Sequence, residues 1–135
     1  LVELKAVVIC GGGGGIPVVR RDNYFTGVPA VIDKDRLSSL LAIKLQADAL
    51  IISTAIDCVK TGFGTKNEKS HRILTIDQCE EFTSKGEFPK GSMAPKIGSL
   101  VEAALHNPNL KSILCQPGDA LKALKGEEGT TIVAK

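Results

Sequence analysis

The chain has 135 residues, 43% hydrophobic and 24% charged, which is enough for one domain with its own core. Its 17 basic and 15 acidic residues are spread along the whole length, for a net charge of +2, and only 4% of residues are aromatic. That argues against the basic, base-stacking surface of a nucleic-acid binder, and no apolar run approaches the roughly 20 residues of a membrane-spanning helix.

The chain opens at Leu1 without a methionine or a signal-peptide pattern, so residues upstream are expected to be missing from it. Residues 5–10, Lys-Ala-Val-Val-Ile-Cys, form a short β-branched run bounded by glycine, which predicts a strand buried on both faces of a parallel sheet. Gly11 to Gly15 follow directly, and the apolar pattern resumes at Ile16-Pro17-Val18, so a structured loop fits better than a flexible linker. Backbone without side chains lets a ligand approach closely and turns N–H groups toward it. The run matches neither the P-loop nor the dinucleotide fingerprint.

Residues 20–27 are polar around Asp22-Asn23 and predict the turn of a β-hairpin between residues 17–19 and 28–32. Next, Asp33 is a good N-cap for a helix over 35–46, in which Leu37, Leu40, Leu41 and Leu45 recur at helical spacing. Lys34 and Asp35 then fall in the first turn, where the helix dipole disfavours a cation. Two readings stand: a solvated charge cluster at a cap, or a polyanion site in which the carboxylate holds the ammonium group in position.

Residues 49–54 read as a further buried strand, and the order strand, hairpin, helix, strand defines an α/β architecture. In such sheets ligands sit beyond the carboxyl ends of the strands, which places the glycine loop and Asp57 there. Asp57 is a solvated loop residue or an acceptor for a nucleotide. Residues 60–71 predict an exposed loop whose Phe63 either anchors the loop or walls an adenine pocket. Thr75-Ile-Asp-Gln78 is a capping box for a helix that Gly86 ends.

A helix follows with Ser92 or a neighbour at its cap, Pro95 in its first turn, and a stripe of Ile97, Leu100, Val101, Ala104 and Leu105. Lys96 repeats the placement of a lysine in a first turn. Beyond the stop at residues 107–109 come a strand over 112–115, a short helix over 119–124 and a strand over 130–134. Cys10, Cys58, Cys79 and Cys115 lack a paired C-x-x-C spacing, so no metal site is expected. Cys10 and Cys115 end apolar runs and read as buried thiols of a cytoplasmic protein.

Taken together, Gly11-Gly-Gly-Gly-Gly-Ile-Pro-Val18, Ala30-Val-Ile-Asp-Lys-Asp35, Gly91-Ser-Met-Ala-Pro-Lys96 and Gly126-Glu-Glu-Gly-Thr-Thr-Ile132 resemble carbamate kinases, in that order and spacing. The resemblance implies the amino acid kinase fold, a three-layer α/β/α sandwich around a mostly parallel sheet, in a homodimer. It covers residues 1–135 as the carboxyl-terminal, nucleotide-binding half; the family's Leu-Gly-Gly-Asn-Ala loop and much of its carbamate pocket are not in this sequence. It implies reversible phosphoryl transfer between carbamoyl phosphate and ADP, giving carbamate and ATP, with magnesium carried on the nucleotide and no metal ligand from the protein. In that scheme Lys34, Asp35 and Lys96 are catalytic, and Gly12, Gly13, Gly14, Gly15 and Asp33 bind the phosphate end. Asp57, Val59, Phe63 and Met93 form the nucleotide pocket. The chain departs from the family at Lys60, where an aromatic residue is usual, and at Lys66, where proline is. These residues alone are expected not to turn over. A non-catalytic nucleotide-binding module and another amino acid kinase family member, acting on an amino acid carboxylate or UMP, are the competing readings.

Overall fold

The computed structural model describes residues 1–135. A 3-10 turn at Val2–Leu4 is followed by β1 (Val18–Arg21), β2 (Tyr24–Gly27), α1 (Lys34–Lys44), β3 (Ala49–Ser53), β4 (Val59–Thr61) and β5 (Lys69–His71). The chain continues through β6 (Ile73–Thr75), α2 (Ile76–Ser84), α3 (Met93–His106), β7 (Lys111–Cys115), α4 (Ala120–Leu124) and β8 (Thr130–Val133).

The apolar runs of β3 and β7 pair in parallel, and the central sheet has the order β3-β7-β8-β6. The β6–β8 pair is also parallel, while β7–β8 is antiparallel, so the sheet is mostly parallel. Side chains alternate across it, as strand geometry requires. Leu50, Ile52, Leu74, Leu114 and Ile132 join α3 residues Ile97, Leu100, Val101, Ala103 and Ala104 in the main core. On the other face Ile51, Ile113 and Cys115 pack with Ala123 and Leu124 of α4. Three layers result: α1, α2 and α3, the sheet, and α4. Ser112 faces α3, and its hydroxyl donates to the Leu100 carbonyl at 2.7 Å, so a polar residue in a buried strand has its partner.

Several expectations hold. Asp33 caps α1 by accepting the Arg36 N–H at 2.9 Å. The capping box of α2 is reciprocal, Thr75 accepting from the Gln78 N–H and Gln78 from the Thr75 N–H. The hairpin forms too, but tighter than expected: β2 occupies the segment assigned to the turn, and Asp22 takes the left-handed conformation at φ 51° in a two-residue link.

Four readings are corrected. Residues 5–10 form no strand: Val7 is 96% and Ile9 99% exposed, because no strand lies alongside to accept their backbone hydrogen bonds. Cys10 is accordingly exposed, not buried. The expected loop over 60–71 contains the antiparallel ribbon β4–β5. In α1 the packed face is Asp35, Ser39 and Ala42, while Leu40 and Leu45 remain exposed. Leu37 and Leu41 are half-buried, so the apolar stripe is only partly turned to the protein, and the buried face of α1 carries the small Ser39 and Ala42 beside Asp35, which pairs with Lys96 of α3.

The capping box yields a first prediction. Thr75→Ala removes one of its two bonds and lowers stability by about 1 kcal/mol, read as a lower urea midpoint with an unchanged slope.

Candidate active site

The start of α1 is where the charges collect. Asp35 is 6% exposed and accepts Lys96 Nζ through both oxygens, Oδ2 at 2.9 Å and Oδ1 at 3.2 Å. Lys96 lies in the first turns of α3, so this pair ties two helices whose residues are 61 positions apart. Lys34 approaches the same Oδ2 at 3.9 Å, with a side chain 66% exposed against 16% for Lys96. One ammonium is thus clamped and the other is free to reach outward. The Arg36 N–H, ahead of the Asp35 N–H and the Lys34 and Lys96 charges, holds the Asp33 carboxyl below its usual range. Asp33 therefore stays ionised as the cap.

The glycine loop abuts this corner. Gly14 has φ +113°, and a Cβ there would stand 2.5 Å from the Ile32 carbonyl oxygen, one residue before the Asp33 cap. Gly11, at φ +83°, would put a Cβ 3.1 Å from Leu37 of α1. Only glycine lets the loop lie this close to the helix start. Gly12, Gly13 and Gly15 have open space around them. The first turn of α3 is closed differently: the Pro89 carbonyl accepts the N–H groups of Ser92, Met93 and Ala94, and the Ser92 side chain makes no cap.

One turn back along α3 from Lys96, Met93 lines a cavity of about 550 Å³ beyond the carboxyl end of β3. Ile56, Phe63, Phe88 and Met93 give it apolar walls, and Lys60, Thr65 and Glu87 supply polar groups. Its outer wall is the β4–β5 ribbon. Thr130 fastens the ribbon's base, its hydroxyl accepting the Val59 N–H at 2.8 Å and donating to the His71 carbonyl. The tip is fastened by carboxylates: Glu87 accepts the Gly62 N–H at 2.7 Å and Glu68 the Gly64 N–H at 2.9 Å. Lys60 bridges Asp57 at 3.5 Å and Glu68 at 3.3 Å.

The structure thus brings Lys34, Asp35 and Lys96 to one corner beside the glycine loop, and Phe63 and Met93 to one cavity. Val59 stands apart: its side chain is fully buried in the main core, not on the cavity wall. Asp57 reaches the cavity only through Lys60. Partial burial pushes its carboxyl upward, but Lys60, the Cys58 thiol and nearby N–H groups outweigh that and leave it below the usual range. Cys58 is covered, its thiol directed at Asp57 at 3.6 Å, and Cys79 is buried with its pKa pushed up to about 12. Sequence reading missed Glu87 and Thr130, which act across 25 and 71 residues, too far for any local pattern to reveal.

A parallel sheet between helical layers, with a lysine–aspartate–lysine cluster and a glycine loop at one helix start, is the arrangement of a phosphate-handling α/β protein. The model of the Amino acid kinase family matches residues 1–111, and the chain belongs to that family. Within it, the chain is similar to carbamate kinases. It is 41% identical over 133 residues to carbamate kinase of Halobacterium salinarum, covering 98% of this chain and 43% of the relative. With carbamate kinase of Staphylococcus haemolyticus the identity is 40% over 132 residues, with the same coverage. The solved structure of carbamate kinase from Giardia lamblia bound to AMP-PNP superposes with a TM-score of 0.92 at 33% identity, over 98% of this chain and 42% of that one. The chain therefore spans less than half the length of the curated relatives it matches. No helix is long and apolar enough to cross a membrane.

Two outcomes follow from this geometry. Lys96→Ala strands the buried Asp35 carboxylate and lowers stability by about 3 kcal/mol, whereas Lys34→Ala changes it by less than about 0.5 kcal/mol; chemical denaturation of both variants checks the contrast. His71, whose Nε2 lies 2.8 Å from the Thr61 hydroxyl, is held below its usual pKa by burial and by Lys69, against the opposing pull of Glu87. The unfolded chain then takes up a proton before the folded one, so stability falls as pH drops from about 7 toward 5.5. His71→Gln flattens that slope in urea titrations at the two pH values.

Proposed function

We propose that this chain is the nucleotide-binding half of a carbamate kinase, acting in phosphoryl transfer between carbamoyl phosphate and ADP. The observation that carries the reading is the single buried carboxylate, Asp35, holding Lys96 and facing Lys34 beside the glycine loop. In the transfer a terminal oxygen of ADP attacks the phosphorus of carbamoyl phosphate. The bond to the carbamoyl oxygen breaks, and carbamate departs with the electron pair. Little covalent work is left to the protein, so rate depends on alignment and on positive charge set in advance around the moving group.

Lys96, clamped by two hydrogen bonds, supplies a fixed charge at the transferring phosphoryl group. Lys34, loosely held, follows the phosphates of the nucleotide. Asp35 positions both and takes no proton. The Gly12 to Gly15 backbone lines the reacting end with Asp33 behind it, and the cavity of Ile56, Phe63 and Met93 receives the base. Asp57 acts through Lys60, and Val59 supports the cavity from the core. That the Giardia relative was solved bound to AMP-PNP supports a nucleotide as ligand in this reading.

The residues do not make a metal seat. Asp33 is engaged as a cap and Asp35 by Lys96, and no group of three acidic, histidine or cysteine side chains converges anywhere in the chain. In this reading magnesium enters with the nucleotide, as part of the substrate. Four free thiols support a cytoplasmic protein. A homodimer is the assembly the family resemblance implies.

The competing reading is nucleotide binding without turnover. Assay of the polypeptide carrying this chain, with carbamoyl phosphate and ADP, separates the two. ATP formation that falls by about a hundredfold or more in both Lys96→Ala and Lys34→Ala is the expected result. Near-normal kcat in either variant removes the assigned role. ADP binding without turnover selects the second reading, and turnover only with an amino acid or UMP points to another activity of the family.

A further inference from the structure

Glu87 has a part in the cavity that the transfer chemistry does not use. It is half-buried between Gly86 and the core residue Phe88, and its carboxylate forms part of the cavity wall. One oxygen, Oε2, is committed to the Gly62 N–H at 2.7 Å, across the cavity on the β4–β5 ribbon. No hydrogen bond or ion pair in the chain engages the other oxygen. Of the nearby cations, Lys85 pairs with Glu81 and Lys60 with Asp57 and Glu68, while Lys85 and His71 act on Glu87 only through their charge, without a hydrogen bond or ion pair to it. Phe63, Phe88, Met93 and Ile56 otherwise make the cavity apolar, a slot suited to a flat heterocycle.

We propose that Glu87 determines base specificity: its uncommitted oxygen accepts the exocyclic amino group of a 6-aminopurine and so selects adenine over 6-oxopurines. The inference rests on the reading of this cavity as the nucleotide-base site. An ionised carboxylate accepts through two oxygens, each with more than one lone pair. With Oε2 turned to the Gly62 N–H, Oε1 is the oxygen left without a partner, and it can accept an N–H of the adenine amino group. A 6-oxo base turns a carbonyl oxygen toward the carboxylate instead. Two acceptors then face each other in a partly desolvated site, and the base is rejected.

The alternative is that Glu87 only latches the ribbon in place. A latch affects every nucleotide alike, whereas a reader of the base affects the ratio between them. Glu87→Gln separates these. Its carbonyl oxygen still accepts the Gly62 N–H, and the amide NH2 now points a donor where an acceptor was.

The experiment is calorimetric titration of the polypeptide carrying this chain with ADP, IDP and purine riboside 5′-diphosphate, for wild type and Glu87→Gln, with thermal melting to confirm folding. Wild type is expected to bind ADP about tenfold or more tighter than either competitor. In Glu87→Gln the preference is expected to invert toward IDP at an unchanged melting temperature. Equal wild-type affinity for ADP and purine riboside 5′-diphosphate overturns the proposal without reference to any variant. A proportional loss for ADP and IDP in Glu87→Gln also overturns it, leaving Glu87 as a latch and the nucleotide site intact. Absence of binding by all three nucleotides overturns both this inference and the proposed function.

Discussion

Asp35 and Lys96 set the geometry on which the rest of the site depends. A carboxylate at 6% exposure and an ammonium at 16% have both given up most of their water, and their attraction roughly offsets that loss. A pair of apolar side chains in the same place would hold α1 against α3 as well or better. Helix packing therefore does not explain the pair. What it does supply is an ammonium group whose position is fixed by two hydrogen bonds, at the point where two helix starts and the glycine loop meet. A charge fixed in advance needs no reorganisation when a phosphoryl group arrives, which is the condition for electrostatic catalysis.

The surrounding residues divide the work. Asp33 satisfies the first turn of α1 and offsets the dipole-disfavoured Lys34 beside it. Pro89 satisfies the first turn of α3 through its carbonyl, so α3 presents Lys96, not bare N–H groups, to the cleft. Two aspartates and two lysines make the corner formally neutral, so attraction to a polyanion comes from the direction of its donors and not from net charge. Lys34, exposed and only loosely paired, is the donor with room to move.

The cap of α1, the capping box of α2, the core stripe of α3 apart from the exposed Leu105, and β3, β7 and β8 of the central sheet were legible in the sequence because each is written in a window of a few residues; the three-residue β6 was not. The convergence of Lys34, Asp35 and Lys96 was legible only through motif resemblance, since nothing local indicates that Lys96 folds back on Asp35. Residues 5–10 misled for a physical reason: β-branched composition marks a preference for a buried strand, but a strand exists only where a neighbour takes its hydrogen bonds. The leucines of α1 misled differently, since periodicity identifies an apolar face without saying which face the fold buries. The β4–β5 ribbon was hidden by its polarity. Lys60, Lys69, Ser70 and the glycines between read as loop, and what stabilises them is contributed by Thr130 and Glu87 from distant parts of the chain.

That hidden ribbon also forms the outer wall of the cavity. A two-stranded ribbon is marginal by itself, so its position is set by its ties: Thr130 at the base, Glu87 and Glu68 at the tip. None of these ties involves Lys34, Asp35 or Lys96, and none of the trio touches the ribbon. The ribbon wall of the cavity and the clamped ammonium on α3 are therefore held independently of one another. Met93, one turn from Lys96 and itself on the cavity wall, is the rigid edge between the two. In the proposed function the base is met by a ribbon tied through a few hydrogen bonds and the phosphates by α3, which the core holds, so the base pocket can vary without displacing the charge on α3.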